Sequence, residues 1–151
     1  MLLKLADHLD SKTQEVISEN RKDMDFAEKS DLSQALKDRL MLDEGRVKAM
    51  VQGVREIAEQ DDIVGGYSQE FKNDEGLTIK RQRIPLGVIL MIFESRPNVV
   101  IDCAALALKS SNAILLKGGK EAKHSNEILG KIIQESISEF VPQESVQVLA
   151  S

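Results

Sequence analysis

Two apolar runs, Val88-Ile89-Leu90-Met91-Ile92-Phe93 and Ala113-Ile114-Leu115-Leu116, constrain this chain more than anything else in it. Neither alternates with polar residues. A short unbroken apolar run is the pattern of a parallel strand covered on both faces, because the helical crossovers of a parallel sheet pack against it. The segment between the runs supplies one crossover. Pro97 suits the first turn of a helix. Residues 99–108 are apolar nearly all round and read as a buried helix, and Asn112 tolerates the left-handed conformation that closes one. A second helix over 121–140 carries Ile128, Leu129, Ile132, Ile133 and Ile137 on its inner side and stops at Val141-Pro142. A third strand, Val146-Gln147-Val148-Leu149, follows. The order β-α-β-α-β predicts an α/β architecture, an incomplete Rossmann-type parallel sheet with right-handed crossovers.

Open parallel sheets bind ligands beyond the carboxyl ends of their strands. Here those ends carry Glu94-Ser95-Arg96-Pro97-Asn98 and Lys117-Gly118-Gly119-Lys120. Asn98 starts a helix, where outward N–H groups favour negative charge. Its side-chain amide can donate to a developing oxyanion or, more plainly, cap the helix. Arg96 can clamp a carboxylate or phosphate through two parallel hydrogen bonds, or pair with Glu94. Gly118 and Gly119 allow a ligand close to the backbone, and Lys117 and Lys120 add point charges. The pattern matches neither common phosphate-loop motif, and a Gly-Gly turn with solvated lysines is the commoner explanation of it. Cys103 lies inside the apolar helix, where cysteine is ordinarily a small hydrophobe, and Asp102 beside it raises its pKa. His8 and His124 are too few and too far apart in sequence to suggest a metal site or a Ser-His-Asp arrangement, so no metal is expected.

The first 66 residues read as helical. Leu2, Leu5, Leu9, Thr13, Val16 and Ile17 fall at helical spacing over 2–20, and 21–31 read as a charged connection. Leu32, Leu36, Leu40 and Met41 form a short helix, and Asp43 caps another carrying Val47, Met50, Val51, Val54 and Ile57. Residues 67–84 then alternate around Asn73-Asp74-Glu75-Gly76, the pattern of a polar-faced β-hairpin. Such a hairpin either joins another subunit's sheet, giving a homo-oligomer, or stays solvated as an edge. Residues 85–151 form the sheet. The helical pattern begins at residue 2 without a capping residue, and the chain stops straight after its third strand. Both suggest a piece of something longer.

Composition narrows the functional classes. A net charge of −5 argues against nucleic acid, whose phosphates need a basic face. No apolar run approaches the roughly 20 residues of a membrane span, and the first residues do not form a signal peptide. A single cysteine excludes an internal disulfide. A cytoplasmic location follows.

The stretches "RIPLGVILMIFESRPNVVIDCAALALKSSNAILLKGGKEAKHSN" and "LKDRLMLDEGRVKAMVQGVREIA" resemble the γ-glutamyl phosphate reductases, also called glutamate-5-semialdehyde dehydrogenases, of the aldehyde dehydrogenase fold. The resemblance implies NADPH-dependent reduction of γ-glutamyl phosphate to glutamate 5-semialdehyde and phosphate, in proline biosynthesis, with glutamate 5-kinase as a candidate partner. It implies covalent chemistry. A thiolate displaces phosphate, and hydride from NADPH reduces the resulting thioester. Asn98 matches the asparagine that helps form the oxyanion hole. Lys117 matches the lysine that contacts the adenosine ribose, with Gly118, Gly119 and Lys120 in the same loop. Glu94, Ser95 and Arg96 match the reductase signature and carry the substrate role. The family's catalytic cysteine and pyrophosphate loop lie in parts this chain lacks, and Cys103 does not stand in for that cysteine. The expectation is therefore an N-terminal fragment, inactive alone, with 1–66 helical, 67–84 an oligomerisation hairpin and 85–151 part of the NADP-binding domain. Two rivals remain: a general NAD-dependent aldehyde dehydrogenase, which "ESRPNV" disfavours, and a truncated homologue acting as an interaction module.

Overall fold

In the computed structural model, which describes residues 1–150, four helices precede a two-stranded hairpin and a three-stranded parallel sheet. The helices are α1 (Leu2–Ser11), α2 (Thr13–Glu28), α3 (Gln34–Leu40) and α4 (Glu44–Glu59). The hairpin strands are β1 (Tyr67–Lys72) and β2 (Thr78–Gln82). Then come β3 (Val88–Ile92), α5 (Asn98–Lys109), β4 (Ala113–Lys117), α6 (Lys123–Ile137) and β5 (Val146–Val148). A 3-10 turn over Lys120–Ala122 leads into α6.

The expected first helix is two helices. The chain breaks at Lys12, where the Thr13 hydroxyl donates to the Asp10 carbonyl. The expected connection over 21–31 is also corrected, because α2 runs on to Glu28. Its buried face there is Asn20, Asp23 and Ala27 rather than a row of large apolar residues. Asn20 donates to the Leu40 carbonyl and the Ser125 hydroxyl and accepts from the Leu42 amide. Asp23 accepts from the amides of His124 and Ser125 and from the Ser125 hydroxyl at 3.0, 2.7 and 2.6 Å. An acceptor from α2 thus caps α6, satisfying N–H groups that the start of a helix leaves unpaired. The other two expected helices form as read: Ser33 caps α3, and the Asp43 carboxylate accepts from the Arg46 amide at 2.7 Å to cap α4.

Strand order is β3-β4-β5, all parallel, with Ile89 opposite Ile114 and Met91 opposite Leu116. Ile114, Leu116 and Val146 are buried against α5 and α6, whereas Val88, Leu90 and Ile92 are 69%, 54% and 70% exposed. The expectation of a β3 covered on both faces is corrected. The sheet steps one way at each crossover, and connections of one hand then place both helices on one side. Side-chain alternation leaves the other set of β3 residues bare.

The expected closure of α5 by a left-handed Asn112 falls one residue earlier, at Ser111 with φ 58°. The Asn112 amide donates to the Ala107 carbonyl and the Ser111 amide to that of Leu108, the paired bonds of a Schellman end. Freed from that role, the Asn112 side chain accepts from the Gly87 amide and fixes the entry to β3. One core runs from Leu5, Leu9, Val16, Val47 and Val54 of the N-terminal helices to Ile101, Leu129, Ile133 and Ile137. The hairpin stands outside it, exposed along both strands.

Candidate functional site

The strand-end residues divide between two places. Glu94 and Arg96 are exposed and Ser95 is buried. Ser95 has φ 41°, a left-handed conformation that side-chain-bearing residues avoid. Its amide and hydroxyl both donate to one carboxylate oxygen of Glu121, at 2.8 and 2.7 Å. That bond ties the β3 end to the loop after β4. Burial pushes the Glu121 carboxyl up, but the Ser95 hydroxyl, its own and the Ser95 amide, and the Lys120 charge leave it below the usual carboxylate value. Sequence reading placed Glu121 only as the start of a helix. The signal available was a carboxylate in the first turn after a Gly-Gly pair.

In that loop the glycines serve packing. A Cβ on Gly118 would lie 2.2 Å from the Asn126 side-chain nitrogen and 3.2 Å from the Phe93 ring. A Cβ on Gly119 would lie 2.1 Å from a Glu121 oxygen. The loop therefore lies flat against α6 and Phe93. The first amides of α6 are already taken by Asp23, so a bound anion would depend on Lys117 and Lys120 rather than on the helix end. Lys120 is exposed at the rim, and the Lys117 ammonium donates to the Ala150 carbonyl beside β5. Two ammonium groups flanking side-chain-free backbone fit the phosphorylated, hydroxyl-rich end of a dinucleotide.

Arg96 and Asn98 face elsewhere. They line a cleft of about 400 Å³ with Arg39, Arg46 and Asp102, between the α3–α4 corner and the first turns of α5. Asn98 is the first residue of α5 and makes no capping bond. Its side-chain nitrogen instead donates to the Asp102 carboxylate, one turn on, at 3.0 Å. An amide held this way by one hydrogen keeps the other for a ligand. Burial pushes Asp102 above the usual carboxylate value, opposed by the Asn98 bond. Burial, then Asp102, pushes the Cys103 thiol up, which suits a structural thiol and not a nucleophile. Glu94 and Arg96 form no ion pair among the described residues.

His8 lies between the Ser136 hydroxyl, at 3.0 Å from Nδ1, and Glu135, at 3.7 Å from Nε2. This trio joins residues 128 positions apart, which no local pattern links. Ser136 is fully buried and donates its hydroxyl proton to the Ile132 carbonyl, so it is a packing serine.

No protein-family profile matches the chain. A γ-glutamyl phosphate reductase from Francisella philomiragia is 53% identical over 120 residues, covering 80% of this chain and 29% of that protein. The crystal structure of the γ-glutamyl phosphate reductase from Thermotoga maritima superposes with a TM-score of 0.92 at 36% identity, over 98% of this chain and 36% of that one. The chain is homologous to the first third of the γ-glutamyl phosphate reductases. It spans 29% to 36% of the curated reductases it matches. An NAD-dependent benzaldehyde dehydrogenase from Corynebacterium glutamicum has a TM-score of 0.75 at 18% identity, covering 99% of this chain and 30% of that one. The chain thus has the aldehyde dehydrogenase-like fold. Among the described residues no helix is long and apolar enough to cross a membrane.

Proposed function

We propose that this chain works as the N-terminal part of a reductase that converts γ-glutamyl phosphate to glutamate 5-semialdehyde and phosphate, a step of proline biosynthesis in the cytoplasm. The observation that carries the reading is the Asn98 amide, oriented by Asp102 and open to a cleft at the carboxyl end of β3, within a chain 45% identical over 150 residues to such a reductase. NADPH, when bound, would supply the hydride. Lys117 and Lys120 would hold its adenosine end, Lys120 nearest a 2′-phosphate, over the flat Gly118-Gly119 backbone. Ser95 locks the strand-end loop through Glu121, and Glu94 and Arg96 reach the substrate. Asn98 donates to the acyl oxygen as it gains negative charge. The thiol nucleophile lies outside these residues, since Cys103 is held as a neutral thiol, so the segment alone has no reductase activity. The exposed hairpin would join a second subunit, and glutamate 5-kinase, as the source of an unstable acyl phosphate, would be the natural partner.

In the complete reductase, Asn98→Ala should lower kcat by about 10² to 10³, with the NADPH KM little changed. Lys117→Ala should raise the NADPH KM and largely keep kcat, because ribose contacts bind ground and transition states alike. An active Asn98→Asp enzyme would overturn the role of Asn98, since that carboxylate would face both Asp102 and the oxyanion.

A further inference from the structure

The Arg96–Asn98 cleft holds three charged groups that the fold leaves unspent. Arg46, on the same wall, is consumed: its guanidinium bonds to Asp38 at 2.9 Å and to the Met41 carbonyl at 3.0 Å. The guanidinium groups of Arg39 in α3 and Arg96 in the β3–α5 loop have neither hydrogen bond nor ion pair among the described residues. Asp102 is part-buried, and among the described residues its carboxylate accepts one hydrogen bond, from the side-chain amide of Asn98. No cation lies within ion-pair distance of it among the described residues. A part-buried carboxylate without a cation is costly to keep charged. The burial that raises its pKa is the sign of that cost.

We propose that this cleft grips the α-amino-acid end of the substrate. Asp102 accepts from the α-ammonium, and Arg39 and Arg96 bind the α-carboxylate. The Asn98 amide, anchored on Asp102, keeps its second hydrogen for the reacting acyl oxygen. Opposite charges side by side match a zwitterion. A phosphate or a dicarboxylate would be drawn to the arginines and repelled by Asp102. The two arginines come from different elements, so the head group would also bridge α3 to the strand-end loop. The proposal rests on the reading that the substrate is γ-glutamyl phosphate and adds which residues recognise its unreacting end.

The test uses the complete reductase in the oxidative direction, with NADP⁺ and phosphate. Glutamate 5-semialdehyde is compared with 5-oxopentanoate, which keeps the carboxylate and lacks the amino group. The unsubstituted enzyme should favour the amino substrate at least tenfold in kcat/KM. Asp102→Asn should abolish that preference by raising KM for the amino substrate alone. Arg39→Gln, an exposed change that cannot disturb the core, should raise KM about tenfold for both substrates and leave the preference intact. An Asp102→Asn enzyme that loses kcat equally on both substrates would overturn the proposal and make Asp102 only the positioner of Asn98. So would an unsubstituted enzyme that is active on both aldehydes without preference, or an Arg39→Gln enzyme with unchanged KM. No oxidation of either aldehyde by the unsubstituted enzyme would instead overturn the reductase reading itself.

Discussion

The β1–β2 hairpin exposes every residue of both strands, while α2 buries Asn20 and Asp23 among polar groups, with Ala27 beyond them against Leu40 and Ala122. The hairpin, which contributes nothing to the core, is plain in the sequence. The buried stretch of α2 reads as a loop. Apolar periodicity reports pattern, and pattern and burial part company where the buried face is polar. A two-stranded ribbon gains little from folding alone. A carboxylate buried with three donors gains from each of them and loses heavily if removed.

The largest effect that would break this contrast is expected at Asp23. Asp23→Ala strands two amides and a hydroxyl at the start of α6 and should cost about 3 kcal/mol of stability, summing a lost cap and buried unpaired donors. Urea denaturation measures it. A loss below about 1 kcal/mol would mean that water replaces the carboxylate, and that α2 owes its length to something else.

A smaller effect is expected at Glu121, which joins the two strand ends. Its carboxyl titrates below the usual carboxylate value in the folded chain. Its bonds therefore add stability above the unfolded pKa, and that stability is lost as pH falls through the lower folded value. Glu121→Gln should flatten this part of the acid limb in thermal melts recorded from neutral pH downwards. An unchanged limb would show that Ser95 finds another acceptor.

The smallest effect belongs to the hairpin. Phe71 is 53% exposed, and Phe71→Ser should change unfolding free energy by no more than about 0.5 kcal/mol. If the hairpin meets a second subunit, the same change should shift the association equilibrium measured by sedimentation. A large loss of monomer stability would show that the ribbon supports the core after all.

Helix α4, strands β3 and β4, the inner face of α6 and the hairpin are legible because each repeats an apolar or alternating pattern and is bounded by Asp43, Asn73 to Gly76 or Pro97. Residues 21–28 are illegible because Asp23 and Asn20 acquire their role only when Ser125 and Leu40 arrive from afar in the chain. The one-sided burial of β3 is illegible for a different reason. Apolar composition cannot tell a face covered within this segment from one that is not. Of the candidate site, Asn98 and Arg96 could be named in advance, but not that they share a cleft with Arg39 and Asp102. Nor did the sequence show that Ser95 belongs with Glu121. Those groupings depend on which way each loop turns at its strand end.

The left-handed Ser95 carries a lesson about inheritance. A Ser95→Gly change alone would relax the backbone yet strip Glu121 of its hydroxyl donor. A Glu121→Ala change alone would leave a buried hydroxyl and amide without an acceptor. Each single step leaves a polar group short of a partner, and the second step removes the hydroxyl's share of that loss while the residue 95 amide turns to water. The two positions are therefore expected to drift as a pair, and a lineage that has replaced one is expected to carry a matching replacement at the other.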